Sequence, residues 1–110
     1  ELLDMEAEIS PGEATVIRFN LRGISIAYDV KRQELSCAEK IAILKMKEGK
    51  IRLRMLVDRT SIDIFGNDGR LYMPMGMVVP ENNHSLALTV VGGDAQVHLM
   101  KIFELKSAWS

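Results

Sequence analysis

The chain has 110 residues, which indicates a single domain over residues 1–110, and its 14 lysines and arginines against 15 aspartates and glutamates give a net charge of −1. This balance argues against a nucleic-acid partner and against a basic face for anionic membranes. One cysteine, Cys37, excludes an internal disulfide, and without a Cys–x–x–Cys or His–Cys cluster we expect neither a metal site nor a cofactor.

The first ten residues, ELLDMEAEIS, are acidic and lack the features of a signal peptide, and no apolar run approaches the length of a membrane span. Because the chain begins with glutamate rather than methionine, we expect it to be a piece of a longer protein. Its redox compartment stays undetermined, since disulfide-free domains occur inside and outside cells.

Short runs of alternating apolar and polar residues follow, and this period of two predicts β-strands. The residues predicted to face inward are Ile17, Phe19 and Leu21; Ile24, Ile26 and Tyr28; Ile51, Leu53, Met55 and Val57; Leu86, Leu88 and Val90; and Val97, Leu99, Phe103 and Leu105. The segment CAEKIAILKMKEG contains good helix formers, but Ile41 and Ile43 also fit a strand, so both structures stay open there. With Gly, Asn and Asp turns about every ten residues, the pattern predicts an all-β antiparallel sandwich or barrel.

The stretch VDRTSIDIFGNDGR holds three aspartates, which raises the question of a carboxylate active site. The residues predicted to be buried have odd numbers up to Val57 but even numbers at Ile62 and Ile64. A strand cannot change which residues it buries in this way without a bulge or a turn. We therefore predict a tight turn in which Asp58, Arg59 and Ser61 have structural roles.

The other two aspartates also have structural interpretations. Asp63 is predicted on the outer face of a strand, and Asn67, Asp68 and Gly69 form a second turn. Carboxylate catalysis needs two acids opposed across a cleft, one of them with a raised pKa. These acids do not converge, so we predict no catalytic residue in this stretch.

Five ordered segments resemble one family. LRMLVDRTSIDIFGNDGRLYM is similar to the signature of the C-terminal β-sandwich module of glycoside hydrolase family 32, which includes invertases, levanases and inulinases. GEATVIRFNLRG, ISIAYDVKRQELSC, LTVVGGDAQV and IFELKSAW resemble the same module in order and spacing. The resemblance implies a two-sheet antiparallel β-sandwich, a lectin-like and concanavalin-like jelly roll related to galectins.

The resemblance also implies a function for the longer protein. Members of the family hydrolyse β-fructosides with retention, using an aspartate nucleophile and a glutamate acid/base in a five-bladed propeller that precedes the sandwich. The motifs of those residues, Trp-Met-Asn-Asp-Pro-Asn-Gly, Arg-Asp-Pro and Glu-Cys, are absent from this chain. We therefore expect a non-catalytic module that braces the propeller, and the resemblance implies a secreted or periplasmic parent enzyme.

Two kinds of surface remain candidates. Met73, Met75 and Met77 share a parity, and either core packing or an interface explains them; Trp109 is a second interface candidate, and both suggest a homodimer. Tyr72 and Trp109 are candidates for stacking on a sugar ring, which would make the module an accessory fructan-binding domain instead. His84 and His98 have no third ligand near them in the sequence, so we expect no metal there.

Overall fold

The computed structural model describes residues 2–76 and 85–105, which form ten β-strands and no helix. The strands are β1 (Leu2–Ser10), β2 (Val16–Leu21), β3 (Ile24–Asp29), β4 (Glu34–Cys37), β5 (Lys40–Ile43), β6 (Ile51–Val57), β7 (Ser61–Gly66), β8 (Leu71–Gly76), β9 (Leu86–Val91) and β10 (Gln96–Leu105). Within these ranges no helix is long and apolar enough to cross a membrane.

The strands form two antiparallel sheets of five strands each. Sheet A has the order β10-β1-β6-β7-β8, and sheet B has the order β5-β4-β3-β2-β9. The predicted all-β, two-sheet antiparallel sandwich is confirmed, and the segment after Cys37 is a strand rather than a helical turn.

The inward faces of the two sheets share one hydrophobic core. Phe19 and Ile26 from sheet B and Met55 and Ile64 from sheet A are fully buried. Removing each such side chain from water contributes about 1.5–3 kcal/mol, so this shared core holds the two sheets together. The inward faces predicted for β2, β3 and β6 are confirmed.

Strand β1 is the second strand of sheet A, between β10 and β6, although no strand was predicted over these acidic first residues. It pairs with both β10 and β6. Its inward residues are all buried: Leu3, Met5, Ala7 and Ile9. The strict alternation of these residues with acids was a strand signal, and the acids sit on the outer face.

The sequence left the side-chain direction of β5 open. The structure places Ile41 and Ile43 outward, each 67% exposed, whereas Leu44 after them is buried. In β10, the inward direction predicted for Leu99 and Phe103 is wrong. Val97 pairs with Ile9, whereas Leu99 pairs with Glu8 and Phe103 with Asp4, so a register irregularity moves both side chains to the outer face. One extra residue in a strand reverses the direction of every side chain beyond it, and sequence parity does not reveal that residue.

The methionines of β8 also require a correction. Met73 and Met75 are only 5% and 8% exposed and belong to the core, since their parity points toward sheet B. The interface interpretation is therefore wrong for these two residues, and core packing explains them. Met77, His84 and Trp109 lie outside the described residues.

The sandwich has two ends, each formed by the turns between its strands, and we call them the proximal and the distal end. At the proximal end, Leu3 lies opposite Val57, and Arg22 of the β2–β3 turn forms an ion pair with Glu104 at 3.6 Å. At the distal end, Ile9 lies opposite Ile51, close to the β7–β8 turn. The first described residue, Leu2, is therefore at the proximal end.

Candidate functional site

The turn between β6 and β7 accounts for the parity switch seen in the sequence. Val57 lies opposite Ile62, and the Asp58 amide donates to the Ser61 carbonyl oxygen at 2.8 Å. The Asp58 carboxylate accepts a hydrogen bond from the Arg59 amide at 2.7 Å. Asp58, Arg59 and Ser61 thus make a short hairpin turn at the proximal end.

The turn between β7 and β8 lies at the distal end. Asp68 and Gly69 have φ values of 60° and 92°, and the Arg70 amide donates to the Asn67 carbonyl oxygen at 3.4 Å. Positive φ at both central residues is typical of a type I′ hairpin turn, for which Asp-Gly is a preferred pair.

Asn67 ties this turn to two other segments. Its own φ is 48°, so its carbonyl leaves the ladder, and its side-chain oxygen instead accepts a hydrogen bond from the Arg52 amide at 2.9 Å. Its side-chain nitrogen donates to the Lys45 carbonyl at 2.6 Å, and Asn67 is only 5% exposed. The side chain therefore replaces a missing backbone acceptor and secures the segment before β6.

The three aspartates are held apart by the length of β7. That strand has six residues, which at about 3.3 Å per residue places the two turns roughly 20 Å apart. Asp63 lies between them and accepts a hydrogen bond from the Tyr72 hydroxyl at 3.2 Å. Glycosidase carboxyl pairs stand about 5–10 Å apart, so Asp58 and Asp68 lack the geometry of such a pair.

A ladder of opposite charges covers the outer face of sheet A. Arg54 donates from Nε and Nη2 to the two carboxylate oxygens of Asp4, at 3.2 and 2.9 Å. Arg52 contacts Glu8 at 3.2 Å and Asp68 at 3.4 Å. The hydrogen bonds to Asp4 raise the pKa of Arg54, and the charge of Glu8, followed by that of Asp68, raises the pKa of Arg52.

A depression of about 510 Å³ lies over this ladder. We call it the sheet-A groove, and its walls include Glu6, Arg54, Phe65, Asp68 and Leu99. It combines charged groups with apolar and aromatic surface on one face of a sheet.

Tyr72, the sugar-contact candidate, stands next to this groove. Its ring stacks on Phe65 with centroids 4.9 Å apart and planes 18° from parallel, and it is 55% exposed. Burial and the hydrogen bond to Asp63 raise the pKa of Tyr72. Sequence reasoning identified Tyr72 but missed Phe65, whose stacking depends on the β7–β8 register.

Among the residues that the structure describes, Tyr28 and Cys37 are ionisable groups in the core. The Tyr28 hydroxyl donates to the Leu44 carbonyl at 2.6 Å, and burial, with a smaller contribution from Asp29, raises the pKa of Tyr28 to about 12. Burial also raises the pKa of the Cys37 thiol. A nucleophilic cysteine needs the opposite shift, so Cys37 has the environment of a packing residue.

The described residues contain no cluster of three or more His, Cys, Asp or Glu side chains that could hold a metal ion. The His98 ring nitrogen Nε2 lies 2.7 Å from the Ser10 hydroxyl. His98 is exposed on β10, so this contact joins two neighbouring strands at the surface.

The chain is similar in sequence to known proteins. The family model described as "Glycosyl hydrolases family 32 C terminal" matches residues 3–104. A levanase from Bacillus subtilis (strain 168) is 27% identical over 128 residues, which cover 97% of this chain and 19% of that protein. The chain therefore spans about a fifth of the length of this relative.

Solved structures share the fold. Exo-inulinase from Aspergillus awamori superposes with a TM-score of 0.79 at 19% identity, over 99% of this chain and 26% of that one. Caenorhabditis elegans galectin LEC-6 gives a TM-score of 0.69 at 13% identity, over 93% of this chain and 82% of that one. The family match and the fold agree, and the chain belongs to the C-terminal domain family of the family 32 glycosyl hydrolases.

Proposed function

We propose that the chain is a non-catalytic β-sandwich module of a longer β-fructosidase and that it braces the catalytic propeller of that enzyme. The observation that carries this proposal is the family match over residues 3–104. It is supported by the names of the relatives, a levanase and an exo-inulinase, of which the chain covers only 19% and 26%.

The positions of the acids support a non-catalytic role. Asp4 and Glu8 are each within 3.2 Å of an arginine nitrogen, and Asp58 accepts a hydrogen bond within its own turn. A pair of catalytic carboxyl groups must face each other across a cleft, whereas each of these acids is bonded to a neighbouring group on its own sheet face or in its own turn.

The proximal end is the side on which we place the propeller. Leu2 begins β1 there, so a preceding domain would join the sandwich beside the turn of residues 58–61 and the β2–β3 turn. Interfaces between domains of one chain bury on the order of 600–1,500 Å². Contact of that size would cover these turns and leave the distal end free.

Amide hydrogen exchange tests this arrangement. In the longer protein, we expect the amides of residues 59–60 to exchange more slowly than in the 110-residue chain. The amides of residues 68–69, in the matching turn at the other end of β7, serve as the control and should exchange equally in both. Equal exchange at both turns would contradict docking at the proximal end.

Truncation tests the bracing role itself. Removing this chain from the longer protein should lower the temperature of half-inactivation, because the propeller loses a packed interface. The kcat at a temperature where both proteins stay folded should change little. A large loss of kcat with unchanged thermal stability would contradict the proposal.

A further inference from the structure

The sheet-A groove continues toward the distal end. A second depression of about 180 Å³ shares Glu8, Arg52 and Asp68 with it and reaches the segment of residues 47–50. Ligand sites in proteins occupy about 300–1,000 Å³. The larger depression alone falls in this range, and the two together form an elongated trough across β1, β6 and the β7–β8 turn.

The polar groups of the trough are held in place before any ligand arrives. Arg54 is fixed by two hydrogen bonds to Asp4, and Arg52 is held between Glu8 and Asp68. The arginine side chains nevertheless stay 55% and 51% exposed at Arg52 and Arg54. A guanidinium has five N–H donors, so each arginine can bond a ligand while it keeps its carboxylate partners.

One wall of the trough is apolar. Phe65 is half-buried, lines the groove and is backed by the stacked ring of Tyr72, which limits its motion. Leu56 and Leu99 add aliphatic surface. A rigid aromatic ring presents a large apolar area at a low cost in conformational entropy.

The charges of the groove select the class of ligand. Its lining carries three carboxylates, Glu6, Glu8 and Asp68, against two guanidinium groups, Arg52 and Arg54. The second depression adds Lys47 and Lys50 and the carboxylate of Glu48, so the trough carries as many carboxylates as cations. It therefore has no excess of positive charge to attract an anion. A neutral ligand whose hydroxyl groups both donate and accept hydrogen bonds matches paired arginines and carboxylates, and its C–H surface matches the Phe65 wall.

We propose that the sheet-A groove is a binding site for a neutral oligosaccharide. Arg52 and Arg54 donate to sugar hydroxyl oxygens, Glu8 and Asp68 accept from sugar hydroxyl groups, and Phe65 lies against a ring. The site is on the outer face of sheet A and reaches the distal end, so it does not depend on the bracing role and stays accessible when a domain covers the proximal end.

Titration of the 110-residue chain followed by amide NMR tests the site. The probes are levan-type and inulin-type fructo-oligosaccharides, maltopentaose, and an oligogalacturonate as the anionic comparison. We expect at least one neutral probe to bind with a dissociation constant on the order of millimolar. The shifted amides should map to β1, β6 and β7, and the oligogalacturonate should bind more weakly.

Two substitutions and a matched control locate the binding. Arg52→Ala should weaken binding about tenfold because it removes hydrogen-bond donors, whereas Arg18→Ala, an exposed arginine on the outer face of sheet B, should leave it unchanged. Phe65→Leu keeps an apolar side chain but removes the ring, and should also weaken binding severalfold. The spectrum of each free variant shows whether it is folded.

The proposal is overturned if no neutral probe binds the folded chain, if the shifted amides lie on sheet B, or if the oligogalacturonate binds more tightly than every neutral probe. Equal weakening by Arg18→Ala and Arg52→Ala would also overturn it, because binding would then follow total charge rather than the groove.

Discussion

Asn67 shows how one amide side chain can replace missing backbone structure. Its left-handed conformation removes its carbonyl from the β6–β7 ladder, and its side chain supplies an acceptor to Arg52 and a donor to Lys45. Asparagine adopts this conformation more readily than most residues. The position therefore requires a residue that tolerates a positive φ and that carries a side-chain amide.

Substitutions of Asn67 should separate these two requirements. Asn67→Ala should lower the free energy of unfolding by about 2–4 kcal/mol, since it loses two partly buried hydrogen bonds and strains a positive φ. Asn67→Gly keeps the backbone freedom and should cost about 1 kcal/mol less than Asn67→Ala. Urea unfolding measures both, and a cost below about 1 kcal/mol for Asn67→Ala would contradict this role.

The ionisation of Tyr28 makes the stability of the fold depend on pH in the alkaline range. Its pKa is raised from 10.0 to about 12 in the folded chain, so the unfolded chain loses this proton first. The contribution of this protonated hydroxyl to the free energy of unfolding is fully present below about pH 10. It is lost as the pH rises through about 12, by about 2–3 kcal/mol in total.

Tyr28→Phe removes this dependence. Near neutral pH the variant should be less stable by about 1–2 kcal/mol, because the buried Leu44 carbonyl loses its donor. As the pH rises toward 12, the difference between the two proteins should shrink and then reverse. Urea unfolding over this pH range measures it, and a constant difference would contradict the assignment.

The turns before and after β7 differ in how deeply their key residues are buried. Asp58 is exposed, and among the contacts described its side chain accepts only from the Arg59 amide, whereas Asn67 is buried and joins three segments. Asp58→Ala should therefore cost about 0.5–1 kcal/mol of unfolding free energy, clearly less than Asn67→Ala. A cost for Asp58→Ala equal to or above that of Asn67→Ala would contradict this ranking.

Strand β8 allows a test of the corrected methionine assignment. Met73→Lys places a charge in the core and should destabilise the chain by about 3 kcal/mol or more. Ile41→Lys, on the outer face of β5 and 67% exposed, is the control and should stay within about 0.5 kcal/mol of the parent chain. A folded, fully stable Met73→Lys variant would restore the interface interpretation for that residue.

Most elements could be predicted from the sequence where one face is apolar and the other polar. Ile51, Leu53, Met55 and Val57 alternate with polar residues, and β6 buries them as expected. The direction of Ile41 and Leu99 could not be predicted, because it depends on where a turn or an irregularity shifts the register. Local hydrophobicity carries no signal for such a shift.

The candidate site was less predictable than the fold. The sequence identified Tyr72, but the groove depends on cross-strand neighbours: Glu8 with Arg52, which are far apart in the chain, and Phe65 with Tyr72 across one hairpin. Strand order and register decide these pairs. The first pair requires β1 to lie beside β6, and the second requires the register of the β7–β8 hairpin.

At the scale of the whole molecule, the sandwich has one core, two ends and one charged, partly aromatic face. Strand β1 begins at the proximal end, whereas the sheet-A groove lies on the outer face of sheet A and extends toward the distal end. This separation allows one module to support a neighbouring domain and to bind a ligand at different surfaces. Neither proposed role requires a catalytic residue in this chain.

A direct activity assay tests whether the chain alone is catalytic. The purified, folded chain is incubated with sucrose, inulin and levan, and released fructose is measured against a blank without protein, with a family 32 enzyme as the positive control. We predict no fructose above the blank at any pH at which the chain stays folded. Fructose release that rises with chain concentration and disappears in Asp63→Asn or Asp68→Asn would contradict the account.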